Sequence, residues 1–105
     1  MTRKVIVRPA ADRDLDEQAD YIAADSSVDT ALQFYESAYE TFRLLSLHPR
    51  MGRMIRLSNP LFLNARVFPI KNFGRHLVSY RPHHRGIEVL RVVHGSRDVD
   101  RLLEA

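Results

Sequence analysis

Apolar residues are densest near the C-terminus of the chain, where their pattern predicts a β-hairpin. One strand runs over residues 76–80, a turn over residues 81–86 contains Pro82 and Gly86, and a second strand covers residues 87–94. The second strand, IEVLRVVH, places apolar side chains on both of its faces. Because a surface strand alternates between apolar and polar residues, this strand is predicted to lie in the centre of a sheet.

Two helices are predicted in the N-terminal half by apolar residues that recur every three or four positions. The first spans about residues 10–24 and follows Pro9, whose missing N–H is harmless in a first helical turn. The second begins near Ser26 or Ser27, either of which can be its N-cap, and ends before Pro49. The short connection between the helices makes them antiparallel neighbours.

Two shorter strands complete the predicted sheet. Residues 4–7 form a β-branched run, and residues 65–70 form a strand in which Pro69 predicts an edge position or a bulge. Residues 49–63 are a connection, and the tail has room for one helical turn. The element order is therefore β-α-α-β-β-β. We expect a single domain over residues 1–105 of the α+β class, with a helical hairpin packed on one face of a small, mainly antiparallel sheet.

The second face of this predicted sheet raises a separate question. One helical hairpin covers only one face, although the last strand is apolar on both. The uncovered face would expose a contiguous apolar patch, and such patches commonly mark protein-binding sites. The alternative is that the connection over residues 49–63 folds down and covers this face.

Composition excludes several classes of function. The 105 residues are 45% hydrophobic, which suits one compact core, and they include no cysteine for a disulfide or a thiolate metal site. No glycine-rich phosphate loop is present, so no cofactor is expected. No apolar run approaches the roughly 20 residues of a membrane span, and the N-terminal apolar segment is too short for a signal peptide. The expected location is the cytoplasm.

Charge divides the chain into two halves. Residues 1–48 contain 5 Lys or Arg against 9 Asp or Glu, whereas residues 49–105 contain 11 against 4, for a net charge of +3. A basic half on a small domain indicates an anionic partner, either nucleic acid or an acidic protein. The alternative is an ordinary solvated surface on which charge is unevenly spread.

Basic residues and histidines cluster at the ends of the predicted hairpin, and metal-free RNA cleavage would use such residues as acid, base and phosphate-binding cations. The candidates are Arg66, Arg75, Arg81, Arg91 and Arg97 as cations, and His76, His94 or Tyr80 as acid or base. The turn residues His83 and His84 lack a third ligand at a suitable spacing, so no metal site is expected. Arg91 interrupts an apolar strand and is expected to pair with Glu88 or Asp98.

Four segments carry a recognisable combined pattern. They are RPAADRDLDEQADYIAADS, AxxFYxSxxxTFxLLxxHPRMGR, RVFPIKNFGRHLVSYRP and GIEVLRVVHGSRD. Together they resemble the ParE/RelE toxin superfamily of bacterial toxin–antitoxin systems, and its ParE branch in particular. The likeness extends over about residues 5–103, and the last segment is its most specific part.

The resemblance implies a stress-response toxin held in a hetero-oligomer by a ParD-like antitoxin, whose flexible segment wraps the helical hairpin and the sheet. ParE-type toxins poison DNA gyrase without being enzymes, whereas RelE-type toxins cut messenger RNA on the ribosome with basic residues and a C-terminal tyrosine. Here Arg75 or His76 falls near one such basic site and Arg97 near another, but nothing after Tyr80 is aromatic. We therefore expect a gyrase-binding inhibitor, with a ribosome-dependent endoribonuclease and a non-toxic binding module as alternatives.

This interpretation assigns residues to two surfaces. Contacts to the cellular target are expected from Arg66, Arg75, Arg81 and Arg97. Contacts to the antitoxin are expected from Leu15, Ile22, Tyr35, Phe68, Tyr80, Leu90 and Val92. If the chain is instead a nuclease, its catalytic candidates are Arg75, His76 and Arg97.

Overall fold

The computed structural model describes residues 3–95 together with Leu103, and its element order confirms the predicted α+β class with one added strand. The elements are β1 (Lys4–Val7), α1 (Pro9–Asp25), α2 (Val28–Leu47), β2 (Arg53–Met54), a 3₁₀ turn (Pro60–Phe62), β3 (Arg66–Ile70), β4 (Phe73–His83) and β5 (Gly86–His94). The added strand, β2, lies in the segment that the sequence predicts as a connection. Apart from Leu103, the predicted turn of helix in the tail lies outside the described residues.

The five strands form one mixed sheet in the order β1-β5-β4-β3-β2. β1 runs parallel to β5, with Lys4 opposite Gly86 and Val7 opposite Val89, and the other pairs are antiparallel. Strand β5 therefore has a neighbour on each side, as its two apolar faces predict. The β3–β4 pairing is irregular directly after Pro69, because proline has no N–H for the ladder.

The two helices begin and end where local chemistry allows. The first has Pro9 at its N-terminal end, and Ser27 caps the second by accepting a hydrogen bond from the Thr30 backbone N–H at 3.0 Å. Both helices cover one face of the sheet. The core between them and the sheet consists of Ala11, Leu15, Ala19, Ala31, Phe34, Ala38, Phe42, Leu45, Ile70, Val78, Tyr80, Ile87, Val89 and Val92.

The second face of the sheet is covered, so the expected exposed apolar patch is wrong and its alternative is confirmed. The connection folds across this face and forms a second core cluster of Ile55, Phe62, Ala65, Val67, Leu90 and Leu103. Partly buried Leu57, Leu61, Leu77 and Val93 pack against the cluster. The connection therefore acts as a third layer, opposite the helices.

A β-bulge in β5 divides its apolar residues between the two cores. Ser79 lies opposite Arg91 while Tyr80 lies opposite Val89, which leaves Leu90 as an extra residue. Leu90 belongs to the second core, whereas Val89 and Val92 both belong to the helix-side core. The bulge explains why the sequence of this strand does not alternate.

Candidate functional site

His76, a catalytic candidate from sequence, is buried at the end of the sheet opposite the hairpin turn. Its ring is stacked on that of His94, with centroids 4.3 Å apart, and lies 4.8 Å from the ring of Phe34. Its Nδ1 is 2.7 Å from Oε1 of Gln18. Burial, with a smaller contribution from His94, lowers the pKa of His76 to about 4. At neutral pH the ring is uncharged, so it lacks the imidazolium proton that a general acid donates.

Of the two arginines that were catalytic candidates with His76, the structure describes only Arg75. Arg75 is exposed, and no hydrogen bond or ion pair engages its guanidinium within residues 3–95 and Leu103. Its carbonyl oxygen accepts a hydrogen bond from the Gly95 N–H at 2.8 Å, which holds the end of β5 to β4. Arg97 lies outside the described residues. Among the described residues, Arg75 is therefore an unpaired cation next in sequence to an uncharged histidine.

Arg66 and Arg81, expected to contact the target, are hydrogen-bonded within the chain. The Arg66 guanidinium donates to the Gly52 carbonyl oxygen at 2.7 Å. The Arg81 guanidinium donates to Oε1 of Glu88 at 2.7 Å and to the Leu61 carbonyl oxygen at 3.1 Å. Both side chains therefore hold the connection onto the sheet.

Tyr80 is fully buried and has a structural role. Its hydroxyl donates to the Pro49 carbonyl oxygen at 2.8 Å and accepts from the Gly52 N–H at 2.9 Å. Burial raises the pKa of this phenol above its usual value. Its hydroxyl therefore binds the backbone of the connection just after the end of α2 and is not available for catalysis.

Arg91 pairs with Asp14 of α1, so the expectation of Glu88 as its partner is wrong. The other expected partner, Asp98, lies outside the described residues. Two hydrogen bonds of 2.7 Å and 3.0 Å join the guanidinium to the Asp14 carboxylate, which also accepts from the Val92 N–H at 2.9 Å. The bonded carboxylate raises the pKa of Arg91. Glu88 instead accepts from Arg8 and Arg81, and these bonds contribute to the lowered pKa of its carboxyl. The Arg91 ion pair therefore joins α1 to β5.

The residues expected to contact the antitoxin fall into two groups. Four of them are core residues with at most 1% of their surface exposed, namely Leu15, Tyr80, Leu90 and Val92. Three are half-buried and reach the surface, namely Ile22, Tyr35 and Phe68. A partner that binds this folded form reaches only the second group.

The structure reveals an apolar surface on α2 of which the sequence interpretation identified only Tyr35. Val28, Leu32 and Tyr39 are 65%, 56% and 47% exposed, and with half-buried Tyr35 they follow one side of the helix at intervals of four, three and four residues. We call these four residues the α2 stripe. Their spacing was visible in the sequence, but the stronger periodicity of the adjacent core residues obscured it.

Carboxylates of α1 lie alongside the α2 stripe. The Tyr35 hydroxyl donates to Oδ1 of Asp16 at 2.7 Å. Burial, followed by the negative charges of Asp12 and Asp16, raises the pKa of Tyr39. The stripe is thus an apolar surface with an acidic border.

Two further observations limit the chemistry of the described part of the chain. Within it, no three His, Asp or Glu side chains are grouped closely enough to hold a metal ion. None of its helices is sufficiently long and apolar to cross a membrane.

Comparisons with known proteins agree with this architecture. The family model described as "ParE toxin of type II toxin-antitoxin system, parDE" matches residues 5–99. Among solved structures, the chain is similar to one titled "Chromosomal ParDE TA system from P. aeruginosa", with a TM-score of 0.72 and 18% sequence identity. That match covers 90% of this chain and 98% of the other. No curated protein matches the chain significantly.

Proposed function

The chain belongs to the ParE toxin family of type II toxin–antitoxin systems, and from this premise we propose that it arrests growth by binding DNA gyrase and is neutralised by a ParD-like antitoxin. The family match over residues 5–99 is the observation that carries the proposal. Because gyrase acts on chromosomal DNA, the proposal puts the toxin in the cytoplasm.

The side-chain contacts favour inhibition by binding over RNA cleavage. Cleavage of RNA without a metal needs a base for the 2′-hydroxyl, an acid for the leaving oxygen and cations for the phosphate. His76 is buried, and its pKa of about 4 makes it a weak base and leaves it without an acidic proton at neutral pH. The Tyr80 hydroxyl is bonded to the backbone, and Arg66 is bonded to carbonyl oxygens. Among the described candidates, Arg75 alone combines exposure with a free charge.

A supercoiling assay tests the gyrase proposal directly. Addition of the purified toxin to gyrase and relaxed plasmid should abolish supercoiling and accumulate cleaved DNA, because a poison stabilises the cleaved intermediate. Topoisomerase I with the same plasmid is the control and should be unaffected. Unchanged supercoiling at a large molar excess of toxin would contradict the proposal. Codon-periodic cuts in translated messenger RNA would support the nuclease alternative instead.

For the antitoxin, we propose a docking site centred on the α2 stripe. An apolar row on an exposed helix face suits an amphipathic segment that folds as it binds. Half-buried Ile22 would extend the contact onto α1. The acidic border formed by Asp12 and Asp16 would select basic residues at the edge of the bound segment.

A pair of leucine substitutions tests this docking site. Leu32→Glu should weaken binding of the ParD-like protein by at least about 10-fold, because it puts a charge in the centre of the apolar contact. The matched control is Leu63→Glu, since Leu63 is 68% exposed but lies in the connection on the other side of the sheet. Isothermal titration calorimetry measures both affinities. Equal losses in the two variants would argue against the α2 stripe.

A further inference from the structure

The middle of the chain is basic without any compensating acid. No Asp or Glu lies between Glu40 and Glu88, whereas this stretch holds eight arginines and four histidines. Arg66 and Arg81 of this stretch are occupied by internal hydrogen bonds, as described above. The others include side chains that the fold brings to one end of the molecule.

Several contacts define this end. Lys4 begins β1 opposite Gly86, and its backbone N–H donates to the Arg85 carbonyl oxygen at 2.8 Å. Pro82, on the other side of the hairpin turn, shares a cleft of about 530 Å³ with His48, Pro49, Arg50 and Met51 at the C-terminus of α2. We call Lys4, His48, Arg50, His83, His84 and Arg85 the basic end.

The basic end is open to solvent, and Glu40 and Glu88, the acidic residues on either side of the basic stretch, bond elsewhere. All six of its residues are exposed except half-buried His83. The nearest carboxylate along the hairpin, Glu88, is already bonded to Arg8 and Arg81. Glu40 lies two turns before the end of α2, and its carboxylate reaches Lys71 in the turn at the opposite end of the sheet.

We propose that the basic end binds the phosphate backbone of a double-stranded nucleic acid. Phosphate contacts are made by Lys and Arg side chains and need no apolar centre, whereas protein interfaces concentrate their energy in apolar and aromatic anchors. At the basic end, charge surrounds one small cleft whose apolar side chains are Pro49, Met51 and Pro82, a much smaller set than the apolar core of a standard protein interface. The α2 stripe, with its acidic border, lies elsewhere on the molecule. The binding surface is therefore distinct from the proposed antitoxin site and does not depend on the identity of the cellular target.

Fluorescence anisotropy with the purified toxin and a labelled 20-base-pair duplex tests the proposal. Three full cations, Lys4, Arg50 and Arg85, should give about three phosphate contacts. For B-DNA this corresponds to a slope of about −2.7 in log K against log salt, or about a 40-fold loss of affinity from 50 to 200 mM salt. A duplex RNA of the same sequence shows whether the basic end binds DNA or RNA duplexes more tightly. A preference for either duplex supports the proposal.

Charge reversal at matched sites locates the contact. Arg50→Glu/Arg85→Glu should lower the affinity by at least about 10-fold. It should also make the slope of log K against log salt less steep, by the amount that about two lost phosphate contacts contribute. Arg13→Glu/Lys71→Glu changes the net charge equally at exposed positions away from the basic end and should lower the affinity by less than about 3-fold. The neutral pair Arg50→Gln/Arg85→Gln should weaken binding in the same direction if the reversed pair fails to fold.

Two results would overturn the proposal. In one, the two charge-reversal variants lose affinity equally, which assigns binding to net charge rather than to the basic end. In the other, poly-glutamate displaces the duplex at the same concentration of negative charge, which identifies an acidic protein as the preferred partner. Gyrase is absent from this assay, so a failure of the gyrase proposal leaves its readout unchanged.

Discussion

Polar side chains on α1 complete the hydrogen bonding of β5 beyond the point where β1 ends. The pairing with β1 stops at Val89, yet the Val92 N–H donates to Asp14 and the Val92 carbonyl oxygen accepts from Gln18 at 3.0 Å. Asp14 and Gln18 are one helical turn apart, so a carboxylate and an amide replace a missing strand. Gln18, which interrupts the apolar stripe of α1 in sequence, is thus a structural residue.

The buried His76 should make the fold sensitive to acid. An unfolded chain protonates this residue below about pH 6.5, whereas the folded ring stays neutral until its pKa of about 4 is reached. The unfolded state therefore binds more protons between these values, and the free energy of unfolding should fall by about 2–3 kcal/mol as pH drops from 6.5 to 4. Urea denaturation at a series of pH values measures this dependence.

Replacement of single histidines isolates this contribution. His76→Leu removes the titrating ring and should flatten the decline between pH 6.5 and 5, whatever its effect on absolute stability. His83→Leu, at the last residue of β4 beside the hairpin turn, should retain the full decline and serves as the matched control. Parallel pH profiles for the two variants would show that another group is responsible.

Among the elements, the connection between α2 and β3 has the least regular structure and an essential packing role. It contributes Ile55, Phe62 and Ala65 to the second core, where they bury Leu90 from the far side of the sheet. Arg66, Arg81 and Tyr80 hold its backbone by side-chain hydrogen bonds. The connection makes few backbone hydrogen bonds to the sheet, and side-chain hydrogen bonds therefore hold it in place.

Truncation of one side chain in the connection tests this role. Phe62 is 3% exposed, so Phe62→Ala should lower the free energy of unfolding by about 3–5 kcal/mol through lost burial and a residual cavity. Leu63→Ala, at the 68% exposed neighbouring position, should change it by less than about 0.5 kcal/mol. Thermal or urea unfolding compares the two. A small effect at Phe62 would mean that this layer is not part of the cooperative fold.

For the whole molecule, the pairing of β1 with β5 joins the two ends of the described chain. This parallel pair buries β5 in the sheet and also brings Lys4 to the hairpin turn, which forms part of the basic end. The close approach depends on Gly86, because a Cβ there would overlap the Lys4 carbonyl oxygen. One glycine thus controls both the sheet order and the shape of the proposed nucleic-acid surface.

Substitution of this glycine should weaken the pairing of the chain ends. Gly86→Ala should destabilise the fold by about 1–3 kcal/mol, because the backbones of β1 and β5 must separate to admit a methyl group. At Gly74 a Cβ would meet no atom within 4 Å, so Gly74→Ala is the control and should change stability by less than about 1 kcal/mol. Hydrogen exchange of the β1 amides and urea unfolding report the effect. Intact protection of those amides in Gly86→Ala would contradict the expectation.

Local patterns in the sequence were sufficient to predict the fold class, both helices and all strands of the described residues except β2. The helices, the N-cap at Ser27, the hairpin and the irregularity at Pro69 follow from interactions between residues close in the chain. The signals of these interactions are short-range periodicity, helix capping and the missing N–H of proline. Each can be recognised from a few neighbouring residues.

Contacts between distant residues were beyond the reach of those patterns. The partner of Arg91, the covering of the second face and the burial of Tyr80 each depend on which segments meet in space. The antitoxin candidates Leu15, Leu90 and Val92 illustrate the difference, because an apolar pattern identifies a buried residue without showing which surface remains open. Residue order along the chain therefore specified the elements and the family, whereas long-range packing specified which charges and apolar groups stay at the surface for partners.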